Sequence, residues 1–170
     1  MSADDGSGAV VRDEVRLRAA VEAEAGPLTE LAMRSKAHWG YDETFMAACR
    51  PELTMTGSEI TAHRTVLAEQ PGTGRVLGFG TLEGEPPQGA VGMLFVEPDA
   101  IGLGVGRLLF GHLLATARRL GFDRLTIDAD PNAEPFYAAM GAVTVGRVPS
   151  GTIPGRTLPL MAVDVIASDG

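Results

Sequence analysis

Residues 94–107, LFVEPDAIGLGVGR, place Gly102, Gly104 and Gly106 at alternate positions between an apolar run and a helix-like segment. Residues without side chains let successive backbone N–H groups turn into one concavity, and a helix N-terminus adds partial positive charge. Glycine also supplies unusual dihedrals and lets a ligand come close to the backbone. The chemistry that follows is the holding of a phosphate or pyrophosphate. Tight helix–strand packing would use the same three glycines, and the triplet alone leaves both readings open. The dinucleotide fingerprint G-x-G-x-x-G is not formed: the sixth position is Arg107 counted from Gly102 and Leu109 counted from Gly104. The Walker pattern G-x-x-x-x-G-K-[ST] is not formed either.

The elements that must position this loop follow from hydrophobic period. AVGMLFV (90–96) is apolar almost throughout and predicts a strand central in a sheet. RLLFGHLLATARRLG (107–121) predicts a helix with Leu109, Leu113, Ala117 and Leu120 on one face, Arg118 and Arg119 on the wet face and Gly121 as the stop. Upstream, 15–19 reads as a short strand, 26–39 as a helix begun by Pro27, and 42–50 as a second helix capped by Asp42 and stopped by Pro51. Residues 64–70 and 75–82 pair as a hairpin through PGTG, and EGEPPQG reads as a loop. Downstream come a strand (123–129), a short helix ended by Gly141 (133–141), and two closing strands (142–149 and 156–166). Interleaved strands and helices with hairpins early and late predict an α/β (α+β) layer with a mixed sheet.

The chain has 170 residues, 45% hydrophobic and 21% charged, which suits one domain over 13–170 behind a loose polar arm at 1–12. Its formal net charge of −8 argues against a nucleic-acid partner. No run approaches the ~18 apolar residues of a membrane span, and the acidic N-terminus lacks the order of a signal peptide. The single cysteine, Cys49, cannot form an intramolecular disulfide, so a reducing cytoplasm is the expected compartment. Its apolar neighbours predict a buried small hydrophobe.

The stretch LFVEPDAIGLGVGRLLFGHLLATARRLGF followed by LTIDADPNAEPFYAAMGA resembles the GNAT superfamily of acyl-CoA-dependent N-acetyltransferases. Residues 101–106 match its loop [QR]-x-x-G-x-[GA] at Gly104 and Gly106, with an extra glycine at Gly102. Phe136, Tyr137 and Gly141 match its helix F-Y-x-x-x-G-[FA]. The resemblance covers about residues 14–165. It implies a mixed, mostly antiparallel central sheet of about six to seven strands, flanked by helices and splayed at the central strand. Two departures stand out. The loop's first position, usually Gln or Arg, is Ile101. The position seven residues before Tyr137, often Asn, is Asp130, with Asn132 two residues later. Asp130 is read as a cap.

The resemblance implies direct transfer of an acetyl group from acetyl-CoA, bound as a cosubstrate without a metal, to a primary amine. The cofactor would be held by Ile101, Gly102, Leu103, Gly104, Val105, Gly106, Arg107 and Asn132. The backbones of Phe95 and Val96 would serve the carbonyl and pantetheine. Tyr137 would protonate the leaving thiolate, since a tyrosine pKa of about 10 lies close to that of a thiol. A core aromatic is the competing account of Tyr137. Trp39 and Tyr41 would wall the acceptor site, or equally pack a helix end, and PSGTIPGR (149–156) would close over it. Glu97 and His63 are weighed as bases against a strand-end carboxylate and a lone surface histidine, and no base is assigned. The acceptor is expected to be a small molecule. A CoA-binding regulatory module and a protein or peptide N-acetyltransferase are the alternatives, and a homodimer is left open.

Overall fold

The computed structural model describes residues 15–165, so the arm expected over 1–12 lies outside the described residues. In chain order the elements are β1 (Arg16–Ala19), α1 (Ala25–Ala37), α2 (Glu43–Leu53), α3 (Gly57–Ala62), β2 (Val66–Glu69), β3 (Val76–Gly80), β4 (Glu83–Glu85), β5 (Gln88–Ala90), β6 (Leu94–Val96), α4 (Val105–Leu120), β7 (Arg124–Asp128), α5 (Glu134–Ala139), β8 (Val143–Pro149) and β9 (Thr157–Asp164). They form two sheets. One runs β1-β2-β3-β6 and is antiparallel throughout; the other runs β4-β5-β7-β9-β8, with one parallel pairing, β5 to β7.

The two sheets are joined by one stretch of chain. Residues 90–96 are expected as a single central strand; the observed chain over 88–96 pairs with β7 as far as Ala90 and then with β3 from Leu94. Between them Val91–Met93 leaves both ladders' regular register, so the chain passes from one sheet to the other and the sheets diverge there. The sheet is thus mixed and mostly antiparallel, and splayed at this strand. The segment EGEPPQG, expected as a loop, contributes β4 and β5.

Alternation of side chains along β2, with a bulge at Leu77 that re-aims it in β3, builds two cores. Val66, Ala68 and Leu77 join Leu109, Phe110 and Leu113 of α4 on one face. Leu67 and Phe79 join Leu28, Leu31 and Ile60 of α1 and α3 on the other. Each fully buried Leu or Phe contributes about 2–3 kcal/mol. Gly78 and Gly80 of β3 allow α4 to lie close. A Cβ at Gly78 would stand 3.1 Å from Leu109 Cδ1, and one at Gly80 would stand 2.9 Å from Leu113 Cδ1.

Three local expectations change and one is met. Pro51 sits inside the last turn of α2 and does not stop it; the helix runs on to Leu53. A proline removes one N–H, and a helix this near its end loses little by it. Leu120, expected on the buried face of α4, is 43% exposed; that face is Val105, Leu109, Phe110, Leu113 and Ala117. The short helix α3 was not anticipated, although Thr56 and Glu59 form a capping box at its start. Cys49 is buried among apolar residues of the second core, as expected.

Candidate active site

The chain leaves β6, turns through Pro98–Ala100 and reaches Ile101, whose side chain is 40% exposed. Gly102 and Gly104 then adopt φ +90°, the left-handed region that favours glycine. Gly104 is the N-cap of α4 and contributes no side chain to the cap. The backbone N–H groups of Gly102, Gly104, Val105, Gly106 and Arg107 have no hydrogen-bond acceptor among the described residues. These are the orphan donors that a helix start leaves for an anion. Arg107 is exposed and has no acidic partner within 4.0 Å among the described residues. Gly106 has a different task. Its φ is not positive, and a Cβ there would lie 3.3 Å from Cε1 and Cζ of Phe136. The features behind the two accounts of the triplet thus fall on different glycines: free donors and positive φ at Gly102 and Gly104, close packing at Gly106. The donor set fits a pyrophosphate.

The strand next to this loop has one free edge. Thr81 N–H donates to the Met93 carbonyl, and Glu97 N–H donates to the Leu77 carbonyl. Antiparallel alternation then turns the polar groups of Phe95 toward β3 and those of Leu94 and Val96 away from it. On the far side the last ladder bond is Val91 N–H to the Thr126 carbonyl. Beyond it the backbones of Leu94 and Val96 face the opening between the sheets. An unpaired strand edge is a ready partner for an extended amide-bearing ligand. By register, Val96 has the orientation expected of it, while Phe95 is engaged with β3 and Leu94 takes its place.

Tyr137 stands on α5, whose start is set by Pro135 and whose end is set by Gly141 at φ +103°. Its ring packs edge-on against Phe110 and Phe136, with centroids 5.6 and 5.2 Å away. The residue is 6% exposed. Its hydroxyl has no hydrogen-bond partner among the described residues, yet it is not sealed; the sealed, unpartnered side-chain atoms are Thr65 Oγ1 and Thr116 Oγ1. Burial, and then the negative charge of Asp130, push the phenol above its ordinary range, so it is a neutral proton donor at physiological pH.

A cavity of about 410 Å3 opens at the divergence of the sheets. Val91–Met93 line it, together with His63 and the carboxylates of Glu52, Glu59, Glu83 and Asp128. Glu83 fills the space over Gly92, where any side chain would collide with its carboxylate. Thr81 Oγ1 accepts from Met93 N–H at 2.9 Å and donates to Glu83 Oε2 at 3.0 Å. His63 Nδ1 lies 3.7 Å from the same oxygen. His63 is therefore no isolated surface group, a relation hidden in sequence because twenty residues and the β2–β3 hairpin separate it from Glu83. Glu97 is the opposite case: it is 8% exposed, and Arg34 holds both its oxygens through Nε and Nη2 in a bidentate ion pair.

Asp130 caps the turn Pro131–Ala133, accepting from Asn132 N–H at 2.8 Å. It also receives Lys36 Nζ at 2.9 Å and the Tyr41 hydroxyl at 2.9 Å. Asn132 Nδ2 and Arg156 Nη2 both donate to that hydroxyl, at 3.1 and 2.8 Å. Tyr41 stacks on Phe45 at 4.0 Å. This knot ties the end of α1, the start of α2, the β7–α5 turn and the β8–β9 loop. Lys36, Phe45 and Arg156 were not legible as members, since their contacts span up to 115 residues. Trp39 is 43% exposed and packs on His38, and neither it nor Tyr41 lines the cavity.

Among the described residues no group of three or more His, Cys, Asp and Glu could hold a metal, and no helix is long and apolar enough to cross a membrane. No curated protein matches the chain by sequence. Solved structures do match by fold. A GCN5-related N-acetyltransferase from Rhodopseudomonas palustris is 26% identical, covers 88% of this chain and 94% of its own, and superimposes with a TM-score of 0.73. The protein yncA from Salmonella typhimurium, solved with its cofactor acetyl-CoA, is 17% identical over 92% and 96% of the two chains, with a TM-score of 0.64. The ribosomal-protein-S18-alanine N-acetyltransferase from Escherichia coli is 17% identical over 92% and 97%, with a TM-score of 0.66. The family described as the GNAT acetyltransferase domain matches residues 24–150. That span holds the donor loop, the free strand edge and the tyrosine helix, and the chain belongs to the GNAT acetyltransferase family, as an acyltransferase that uses acetyl-CoA.

Proposed function

We propose that the protein moves the acetyl group of acetyl-CoA directly to the primary amine of a small molecule. The observation that carries the small-molecule reading is the cavity at the divergence of the sheets. Its volume of about 410 Å3 lies within the range of small-ligand sites. Its four carboxylates favour an ammonium group and disfavour an anionic acceptor.

In this reading the N–H groups from Gly102 to Arg107 and the Arg107 guanidinium hold the pyrophosphate. The free edge at Leu94 and Val96 carries the pantetheine amides and brings the thioester to Val91–Met93. Asn132 has its side-chain oxygen left over after its contacts to Asp130 and Tyr41, and it offers that acceptor to the arm. Tyr137 donates its proton to the departing sulfur. Fixed donors aimed at developing charge are the larger part of such catalysis, with general acid help adding 10²–10⁴-fold.

The test is thiol release from acetyl-CoA with a panel of small amines beside a panel of N-terminal and lysine peptides, with products identified by mass. Faster turnover of small amines is expected. Acetylation confined to peptides would replace the small-molecule reading. Cofactor binding without turnover of any acceptor would replace it with a CoA-binding module.

A further inference from the structure

We infer that His63, oriented by Glu83, is the base that deprotonates the acceptor amine, and that the amine reaches the thioester through the cavity these two residues share. The inference rests on the acetyltransfer reading and adds to it the proton acceptor and the side of approach.

Four observations converge. First, His63 is held from both sides of its backbone: its N–H donates to the Glu59 carbonyl, and its carbonyl accepts from Leu82 N–H. Second, its Nδ1 faces Glu83 Oε2 at 3.7 Å. That distance is too long for a hydrogen bond, but the nearby carboxylate electrostatically favours the tautomer with the proton on Nδ1, which leaves Nε2 as the accepting nitrogen. Third, Glu83 is itself anchored through Thr81 to Met93 N–H, at the point where the strand leaves the second sheet. Fourth, Gly92 leaves the space that Glu83 fills, so the carboxylate stands at the break. The two side chains are about one-third exposed, which keeps them reachable from the cavity. Glu97, the other candidate, is locked by Arg34.

The step balances as follows. The ammonium of the acceptor gives one proton to His63 Nε2. The neutral nitrogen attacks the thioester carbon; the C–N bond forms and the C–S bond breaks. The sulfur takes the proton of Tyr137, and the tyrosinate recovers the second proton shed by nitrogen. His63 releases its proton to solvent, so one proton leaves per acetyl transferred. The charged groups that face His63 are Glu83 from β4, Glu59 from α3, Glu52 from α2 and Asp128 from β7, with Arg64 next in sequence bonded to the carbonyls of Leu82 and Gly84. The carboxylates support the protonated imidazole that forms.

The experiment compares wild type, His63→Gln and Glu83→Gln in the full chain, with acetyl-CoA and a panel of alkyl mono- and diamines. It follows thiol release across pH and measures acetyl-CoA affinity by calorimetry. His63→Gln is expected to lose on the order of a hundredfold in kcat/KM at neutral pH with unchanged acetyl-CoA affinity. Its rate should then climb tenfold per pH unit with the free-amine fraction and approach wild type near the amine's own pKa. Glu83→Gln should lose a smaller share of kcat/KM at neutral pH, recovered in the same way as pH rises, because the imidazole loses the carboxylate that orients it. A His63→Gln enzyme with the wild-type rate and profile overturns the base while leaving acetyltransfer intact. Should that variant not fold, a wild-type rate and profile in folded Glu83→Gln overturns it equally. A wild type that transfers to no amine overturns the acetyltransfer reading, and the base with it.

Discussion

The ring of Phe136 lies against the backbone of Gly106, close enough that a Cβ on the glycine would stand 3.3 Å from two ring carbons. The helix that begins at the glycine loop and the helix that carries Tyr137 are thus packed through one glycine. Phe110 completes the contact, edge-on to both aromatic rings. The position of the proposed acid and the position of the phosphate donors are set by the same piece of packing.

Gly106→Val and Gly104→Val should therefore fail differently. A branched side chain at 106 has to displace Phe136, which costs about 1–3 kcal/mol and lowers the melting temperature by several degrees. At 104 the φ of +90° itself is the obstacle, costing about 1–2 kcal/mol, and the side chain intrudes where the ligand's phosphates approach. Calorimetry with CoA below both melting points separates them: Gly104→Val should lose most of its affinity and Gly106→Val less. Unchanged affinity in Gly104→Val would refute the phosphate assignment.

Ile101 stands where the family pattern has Gln or Arg, and its side chain reaches solvent. Ile101→Arg should tighten CoA binding by about 1–2 kcal/mol through a charge-assisted bond to the pyrophosphate. The gain should shrink as salt rises, because the position is open to water. Affinity that stays level in low salt would show that this side chain points away from the phosphates.

The loop and the tyrosine helix were legible because each is local. A glycine's need for positive φ and the caps of a helix are written within a few residues of chain. The strand 90–96 was legible as apolar and central, but its break was legible only through the family resemblance and not from its residues, since Val91 and Met93 look like any strand residues. What divides them is which neighbour each one pairs with, and that is a property of the sheet. The side-chain clusters around His63 and Tyr41 were illegible for the same reason. His63 meets Glu83 across β2 and β3, and Tyr41 meets Asp130 and Arg156 across most of the chain.

Asp130 holds Lys36, Tyr41 and the turn at Asn132 together, and both members of its ion pair are 14% exposed at the side chain. Burial alone would raise its pKa; the Lys36 ammonium, the Asn132 N–H and the Tyr41 hydroxyl outweigh that and hold it below the usual carboxylate range. A lowered folded-state pKa contributes stability that is present above the unfolded value near 3.9 and is lost as pH falls through the folded value. Asp130→Asn removes the charge but keeps the shape. It should cost about 2–3 kcal/mol at pH 7, since it strands Lys36 in a partly buried site. The difference from wild type should narrow in acid below about pH 3. Hydrogen exchange at 150–156 should quicken, because Arg156 reaches the knot through Tyr41. Equal stabilities at neutral pH would mean that the knot contributes nothing net.

Tyr137→Phe removes one oxygen and keeps the ring against Phe110 and Phe136. Acetyl-CoA affinity should change little, and kcat should fall on the order of a hundredfold where chemistry limits turnover. The loss should be smaller for a thioester whose thiol is already a weak base. Alkaline stability supplies an independent check on the buried hydroxyl. Burial, with Asp130 second, raises the folded-state pKa above the ordinary value near 10. Below that value both states keep the proton and the group adds no pH dependence. Above it the unfolded chain releases the proton first, so stability falls as pH rises toward the folded value. Wild type should therefore lose more stability than Tyr137→Phe between pH of about 9 and 11. Tyr41, whose pKa is also raised, is common to both proteins and cancels from the comparison. Wild-type kcat in the Phe variant removes Tyr137 from the chemistry. Parallel alkaline curves would show instead that its hydroxyl is solvated in the folded protein and that burial does not raise its pKa.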